Sequence, residues 1–105
     1  MRVLLIDDDI NLCKVLAYQL EKNNYTVTTA NNGEEGLVLF SKSDYDIVIT
    51  DIQMPYISGI DVLQKIRQDN DKVIIIIITA HGSVENAIEA CRLGATDYLT
   101  KPFGQ

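Results

Sequence analysis

Three consecutive aspartates, Asp7-Asp8-Asp9, follow the apolar run Val3-Leu4-Leu5-Ile6, and a fourth, Asp51, follows Ile47-Val48-Ile49-Thr50. Thr79 stands in the same relation to the run Val73 to Ile78, and Lys101 to Asp97-Tyr98-Leu99-Thr100. If these runs are parallel strands, residues just past their carboxyl ends gather at one sheet edge, where ligands bind in open α/β folds. Asp7, Asp8, Asp51, Thr79 and Lys101 would then share one site. Clustered carboxylates repel one another and recruit a cation. Magnesium suits an all-oxygen site of this kind, because it keeps several waters and accepts phosphate oxygens. Asp51 is then either a metal ligand or a nucleophile. Attack of its carboxylate on phosphorus would give an aspartyl phosphate, with the cation and Lys101 offsetting charge and the Thr79 hydroxyl donating to a phosphoryl oxygen.

The elements that must position these residues are legible from periodicity. Val3 to Ile6 is a strand, and Ile10 to Asn23 carries Leu12, Val15, Leu16 and Leu20 at helical spacing. Asp9 caps that helix in preference to binding metal. Tyr25 to Ala30 is β-branched and aromatic, hence a second strand. Asn32-Gly33-Glu34-Glu35 has the form of a capping box and opens a helix through Leu37 and Phe40 to about Lys42. Gly36 inside its first turn costs about 1 kcal/mol relative to alanine, with no functional return visible in the sequence. Ile47 to Thr50 is the third strand and residues 54 to 59 a loop, while Ile60, Leu63 and Ile66 mark the inner side of a third helix. Val73 to Ile78 is apolar on both faces, as the middle of a covered parallel sheet should be. Ser83 is placed to cap a fourth helix with Val84, Ala87, Ile88 and Cys91 facing inward, and Gly94 ends it in a left-handed conformation. Asp97 to Thr100 is a fifth strand. Strand starts near residues 3, 25, 47, 73 and 97 leave room for one crossover helix each, which is a parallel βα architecture.

A chain of 105 residues accommodates one domain with a genuine core, and 47% hydrophobic residues is ordinary for it. The net charge of −6 argues against direct nucleic-acid binding by this domain and favours a cation or a basic partner. The opening apolar run is broken by Asp7-Asp8-Asp9 too early for a signal peptide, so a cytoplasmic location is expected. The run Val73 to Ile78 is much too short to span a membrane. Cys13 and Cys91 form no metal motif and are expected to be reduced, small hydrophobes on helix faces. His81 is the single histidine and cannot by itself make a metal site or a triad.

From Val3-Leu4-Leu5-Ile6-Asp7-Asp8-Asp9 through Asp51-Ile52-Gln53-Met54-Pro55 to Thr79-Ala80 and Lys101-Pro102-Phe103, essentially the whole chain resembles the receiver domain of bacterial two-component response regulators. Residues 79–84 and 94–103 are similar to those of NtrC-type enhancer-binding transcriptional activators. The resemblance implies a flavodoxin-like, CheY-like doubly wound five-stranded parallel sheet in the order 2-1-3-4-5, with a single receiver domain over residues 1–105. It further implies that Asp51 accepts a phosphoryl group from a sensor histidine kinase. Asp8, Asp51 and the backbone carbonyl of Gln53 would bind Mg²⁺ directly and Asp7 through water. Lys101 would pair with the phosphoryl group, preceding a cis Lys101-Pro102 bond. Thr79 and Tyr98 would be the switch pair, the Thr79 hydroxyl moving toward the phosphoryl group and the Tyr98 ring turning inward; the competing reading of Tyr98 is a half-buried edge aromatic. Gln53 and His81 occupy positions that tune phosphoryl lifetime in related receivers, unless they are solvated loop side chains. The partners implied are the kinase and an output domain or downstream protein, with transcription as the controlled process and no membrane contact.

The resemblance also sets one departure. Receivers continue past Lys-Pro-Phe into a fifth helix, whereas this sequence ends at Gln105. Without that helix, apolar side chains of strands one, four and five are expected to lie open, favouring a homodimer or an element-exchanged oligomer. An aspartate-nucleophile phosphatase of the haloacid-dehalogenase type is the enzymatic alternative to a non-enzymatic switch. It requires a second acid two residues after the nucleophile, where this chain has Gln53. A flavodoxin would need a glycine- and hydroxyl-rich first loop to hold a phosphate, and three aspartates there would repel it.

Overall fold

Five runs of β-branched and aliphatic residues pair as one all-parallel sheet in the computed structural model, which describes residues 1–80 and 84–100. The chain alternates strictly: β1 (Arg2–Ile6), α1 (Ile10–Lys22), β2 (Thr26–Ala30), α2 (Gly33–Lys42), β3 (Ile47–Asp51), α3 (Gly59–Asp69), β4 (Ile74–Thr79), α4 (Val84–Arg92) and β5 (Asp97–Thr100). The strand order is β2-β1-β3-β4-β5, as expected for a flavodoxin-like sheet.

Alternation along each strand divides the core. Leu4, Ile6, Val48, Ile75 and Ile77 point to one face, where they pack with Val62, Leu63 and Ile66 of α3 and Ala90 of α4. Val3 and Leu5 point the other way and are equally buried. The two α-helical ends nearest the site are capped by their own residues. Asp9 Oδ1 accepts from Leu12 N–H at 3.1 Å, fixing the start of α1 as expected. Ser58 and Asp61 form a reciprocal capping box at α3 that the periodicity did not single out.

Several side chains depart from their expected places. Asn32 caps α2 through Glu35 N–H at 2.7 Å, but the Glu35 carboxylate reaches back to Asn31 N–H, one residue beyond a true capping box. Gly36 has a packing reason: a Cβ there would overlap the Ile6 side chain, so α2 sits closer to β1 than any larger residue allows. Val15 of α1 and Ile88 and Cys91 of α4 are exposed. In α4 the buried residue is Ala90, with Leu93 half-buried behind it. Among the described side chains the inward position therefore falls on small Ala90 and not on the expected Ile88 and Cys91, which permits a close approach to the sheet. Neither cysteine is in a disulfide; Cys13 is buried as expected, its Sγ donating to the Asp7 carbonyl at 3.4 Å.

The open apolar surface meets the expectation at β4 and β5 and departs from it at β1. Strand β1 is covered by α1. The groove instead runs between Leu16 and Leu20 of α1, Ile49 of β3, Ile76 and Ile78 of β4 and Leu99 of β5, with a volume of about 280 Å³. α1, 13 residues and about three and a half turns long, covers the strands beside it and leaves this part of β3, β4 and β5 open.

Candidate functional site

Each strand delivers its last residues to the same edge, and the register decides how close they come. Ile6 lies beside Thr50, Asp51 beside Ile78, and Thr79 beside Thr100. Asp7 therefore leaves β1 next to Asp51 at the end of β3, and Thr79 ends β4 one step further along the edge. A cleft of about 240 Å³ opens there, with Asp7, Asp51 and Thr79 buried at its base and Asp8, Asp9, Gln53 and Ala80 at its rim. Carboxylate oxygens of Asp7, Asp8 and Asp51 all lie within 4.8 Å of one another.

Local backbone geometry aims these groups. Asp9 N–H donates to Asp7 Oδ1 at 2.9 Å, and Asp7 N–H donates to the Ala30 carbonyl at 3.0 Å, so the acidic loop is tied to β2. Ile52 N–H donates to Asp51 Oδ1 at 2.8 Å and to the Ile78 carbonyl at 3.1 Å. The Asp51 carboxylate is thus oriented by the peptide that follows it. Beneath the loop, Gly59 N–H donates to the Ile52 carbonyl at 2.9 Å. A Cβ at Gly59 would strike the Asp51 carbonyl oxygen and the Ile52 backbone, so only glycine lets α3 begin this close to the acid. Gly59 is a positioning residue that the sequence reading passed over; the available signal was a glycine at the first helical position directly after a Ser cap.

Of the expected site residues, Asp7, Asp8, Asp51, Gln53 and Thr79 are brought together. Asp9 lines the same cleft while capping α1, so the capping role holds without removing it from the rim. Tyr98 lies on β5 beside Ile77, its ring packed against the hydrophobic core. Its hydroxyl is buried and has no hydrogen-bond partner among the described residues. Lys101, the Lys101-Pro102 bond, His81 and the Ser83 cap fall outside the described residues. The donor set is all oxygen, two carboxylates at the base and one at the rim, which fits a hard divalent cation that retains water. No helix among the described residues is long and apolar enough to cross a membrane.

Comparison with known proteins gives a consistent picture. The response regulator receiver domain family matches residues 3–105. The chain is 46% identical over 102 residues to a probable transcriptional regulator, ycf27, of Guillardia theta, covering 97% of this chain and 40% of that protein. It is 40% identical over 101 residues to the transcriptional regulatory protein ZraR of Klebsiella oxytoca, covering 96% of this chain and 23% of that one. It therefore spans less than half the length of these relatives. Among solved structures, the response regulator TrrA of Thermotoga maritima in complex with Mg²⁺-BeF superposes with a TM-score of 0.89 at 37% identity, covering 98% of this chain and 88% of that one.

Proposed function

We propose that Asp51 accepts a phosphoryl group in a Mg²⁺-dependent reaction and so acts as a signalling switch, starting from the fact that this chain belongs to the response regulator receiver family. The observation that carries the reading is the convergence of the Asp7, Asp8 and Asp51 carboxylates within 4.8 Å at the base and rim of one cleft. Asp8, Asp51 and the backbone carbonyl of Gln53 would hold Mg²⁺, with Asp7 contributing through water. When bound, the cation neutralises charge on the transferring group. Asp51, oriented by Ile52 N–H, supplies the attacking oxygen. Thr79, buried at the end of β4, donates its hydroxyl to a phosphoryl oxygen, and Lys101 supplies a countercharge. Support from outside the chain comes from the TrrA structure with Mg²⁺-BeF.

The same reading assigns Thr79 and Tyr98 as the switch pair and Gln53 and His81 as determinants of phosphoryl lifetime. Its partners are a sensor histidine kinase and an output domain or downstream protein controlling transcription, in the cytoplasm and away from membrane and nucleic acid. The domain acts without turning over a released substrate. A haloacid-dehalogenase-type phosphatase is disfavoured because Gln53 offers a carboxamide where that chemistry needs an acid. The apolar groove beside Leu16, Ile76 and Leu99 supports self-association of the 105-residue chain, as a homodimer or by exchange of elements. Sedimentation as a monomer at high micromolar concentration would count against that part.

Intact-mass measurement after incubation with acetyl phosphate and Mg²⁺ tests the central assignment. The wild type should gain one phosphoryl group and Asp51→Asn none; equal gain by both would overturn it. Lifetime is tested separately by His81→Ala, whose dephosphorylation rate should rise if His81 restricts the attacking water.

A further inference from the structure

A second cleft, of about 340 Å³, lies against the acidic one and shares Asp8 as a common wall. Asn31, Asn32 and Glu34 form one side of it, and Pro55, Tyr56 and Ile57 the other. Tyr56 is the most exposed large hydrophobic side chain among the described residues, with essentially its whole ring in solvent. Its backbone is unusual as well. Ile57 N–H donates to the Pro55 carbonyl at 2.8 Å across a three-residue turn, and Tyr56 at its centre has φ +68°. A positive-φ γ-turn is rare and strained for any residue with a Cβ. Here the strained peptide is anchored at both sides, since Ile52 and Gly59 join the ends of the loop by the 2.9 Å bond. The ring is consequently held out on a short, stiff turn beside the phosphoryl-accepting cleft, where burial would return nothing to the domain itself.

The reaction supplies the need for such a contact. Asp51 is only 6% exposed at the base of its cleft, so a donor must be seated closely before its phosphorus comes into line with the carboxylate. During transfer the P–N bond of a phosphohistidine breaks as the O–P bond to Asp51 forms, and the donor ring, protonated on its other nitrogen, leaves as neutral imidazole. A small acyl phosphate can enter the cleft alone. A protein donor must rest its surrounding surface on the rim, and exposed aromatics are the side chains that carry most binding energy in such contacts. We propose that Tyr56, with the Glu34 side of its cleft, is a seating contact for the phosphohistidine-bearing protein, one that small phosphodonors do not use. With Asp8 engaged by the cation, the Glu34 carboxylate gives this rim its negative charge, so the complementary donor surface is an apolar patch flanked by a lysine or arginine. The inference rests on Asp51 being the acceptor.

The test uses two donors on the full chain: acetyl phosphate, and a phosphorylated histidine-phosphotransfer domain selected because it labels the wild type. Tyr56→Ala should lower the second-order rate constant with the protein donor about tenfold and leave the acetyl phosphate rate unchanged. Tyr56→Phe should retain most of the wild-type rate. Tyr56→Gly separates contact from folding, because glycine relieves the positive-φ strain: it should be at least as stable as the wild type and yet as slow as Tyr56→Ala with the protein donor. Wild-type rates for both Tyr56→Ala and Tyr56→Gly with the protein donor would overturn the proposal, and so would equal losses with both donors. Failure of the wild type to label at Asp51 with acetyl phosphate would instead remove the reading on which the proposal stands.

Discussion

The two ends of the sheet use the same residue types to opposite effect. At the amino end, Asp46 Oδ2 accepts from Arg2 N–H at 2.8 Å, while the Arg2 guanidinium lies 5.1 Å above the Tyr45 ring. Asn70 Oδ1 accepts from both Lys72 and Val73 N–H at 2.9 Å, and Thr96 Oγ1 accepts from Ile75 N–H at 3.1 Å. Arg67 closes that end by donating from Nε to the Gly94 carbonyl at 2.8 Å, with burial drawing its pKa down and Asp71 opposing the shift. Every one of these polar groups holds a loop in place. At the carboxyl end Asp7 and Asp51 each accept one local backbone N–H, but those bonds do not call for the approach of three carboxylates to within 4.8 Å of one another. The contrast separates polar groups that build the domain from those retained for chemistry.

Perturbations should therefore act on folding at one end and on ligand response at the other. The largest effect is expected at the one place where the two coincide. Gly59→Ala forces a methyl group into the backbone of Asp51 and Ile52, and should cost about 3 kcal/mol in urea unfolding together with slower labelling of Asp51 by acetyl phosphate. Stability within 0.5 kcal/mol of wild type, on the order of a neutral surface change, would show that α3 can retreat from the acid without penalty. Next, Mg²⁺ at one hundred times its dissociation constant should stabilise the wild type by about 2.7 kcal/mol, and Asp8→Asn should remove most of that increment. An undiminished increment in Asp8→Asn would place the cation elsewhere. At the amino end, Asn70→Ala should lose about 1.5 kcal/mol by stranding the Lys72 and Val73 N–H groups, while its Mg²⁺ increment and Asp51 labelling stay at wild-type values. A changed Mg²⁺ increment there would break the separation between the ends.

The parts of this division that reached the surface of the sequence were those governed by short-range pattern. The apolar run before each of Asp7, Asp51 and Thr79 is enough to place all three at one edge, because parallel strands share a direction. Asp9 as a cap was equally legible, its side chain lying three residues before the N–H it accepts from. What escaped depends on how closely separate elements approach. Gly36 and Gly59 look like local costs in a helix, and only their contacts with Ile6 and with the Asp51 backbone reveal why a side chain is excluded. The phase of α4 escaped for a related reason: Ile88 and Cys91 are more apolar than Ala90, but Ala90 is the residue small enough to lie against the sheet. The open groove was anticipated at β4 and β5 and misplaced by one strand, β3 standing open where β1 was expected, since the reach of α1 over β1 is a matter of packing and not of pattern.

Tyr98 tests the comparison at its finest. It stands between the two ends, in register with Ile77, and its ring fills core space while its hydroxyl is buried with no partner among the described residues. The polar groups named at the amino end each hold a loop, whereas the Tyr98 phenol holds none among the described residues, which is what the proposed switch role would need. Removing only the oxygen should spare the desolvation of an unsatisfied hydroxyl. Tyr98→Phe is therefore expected to raise stability by about 1 kcal/mol in urea unfolding, with the aromatic ring retained in the same packing. A loss of similar size would mean that the hydroxyl has found a partner and that Tyr98 belongs with the building residues. A gain accompanied by unchanged labelling of Asp51 by acetyl phosphate would place the cost of that buried oxygen on the response to phosphorylation and not on the transfer itself.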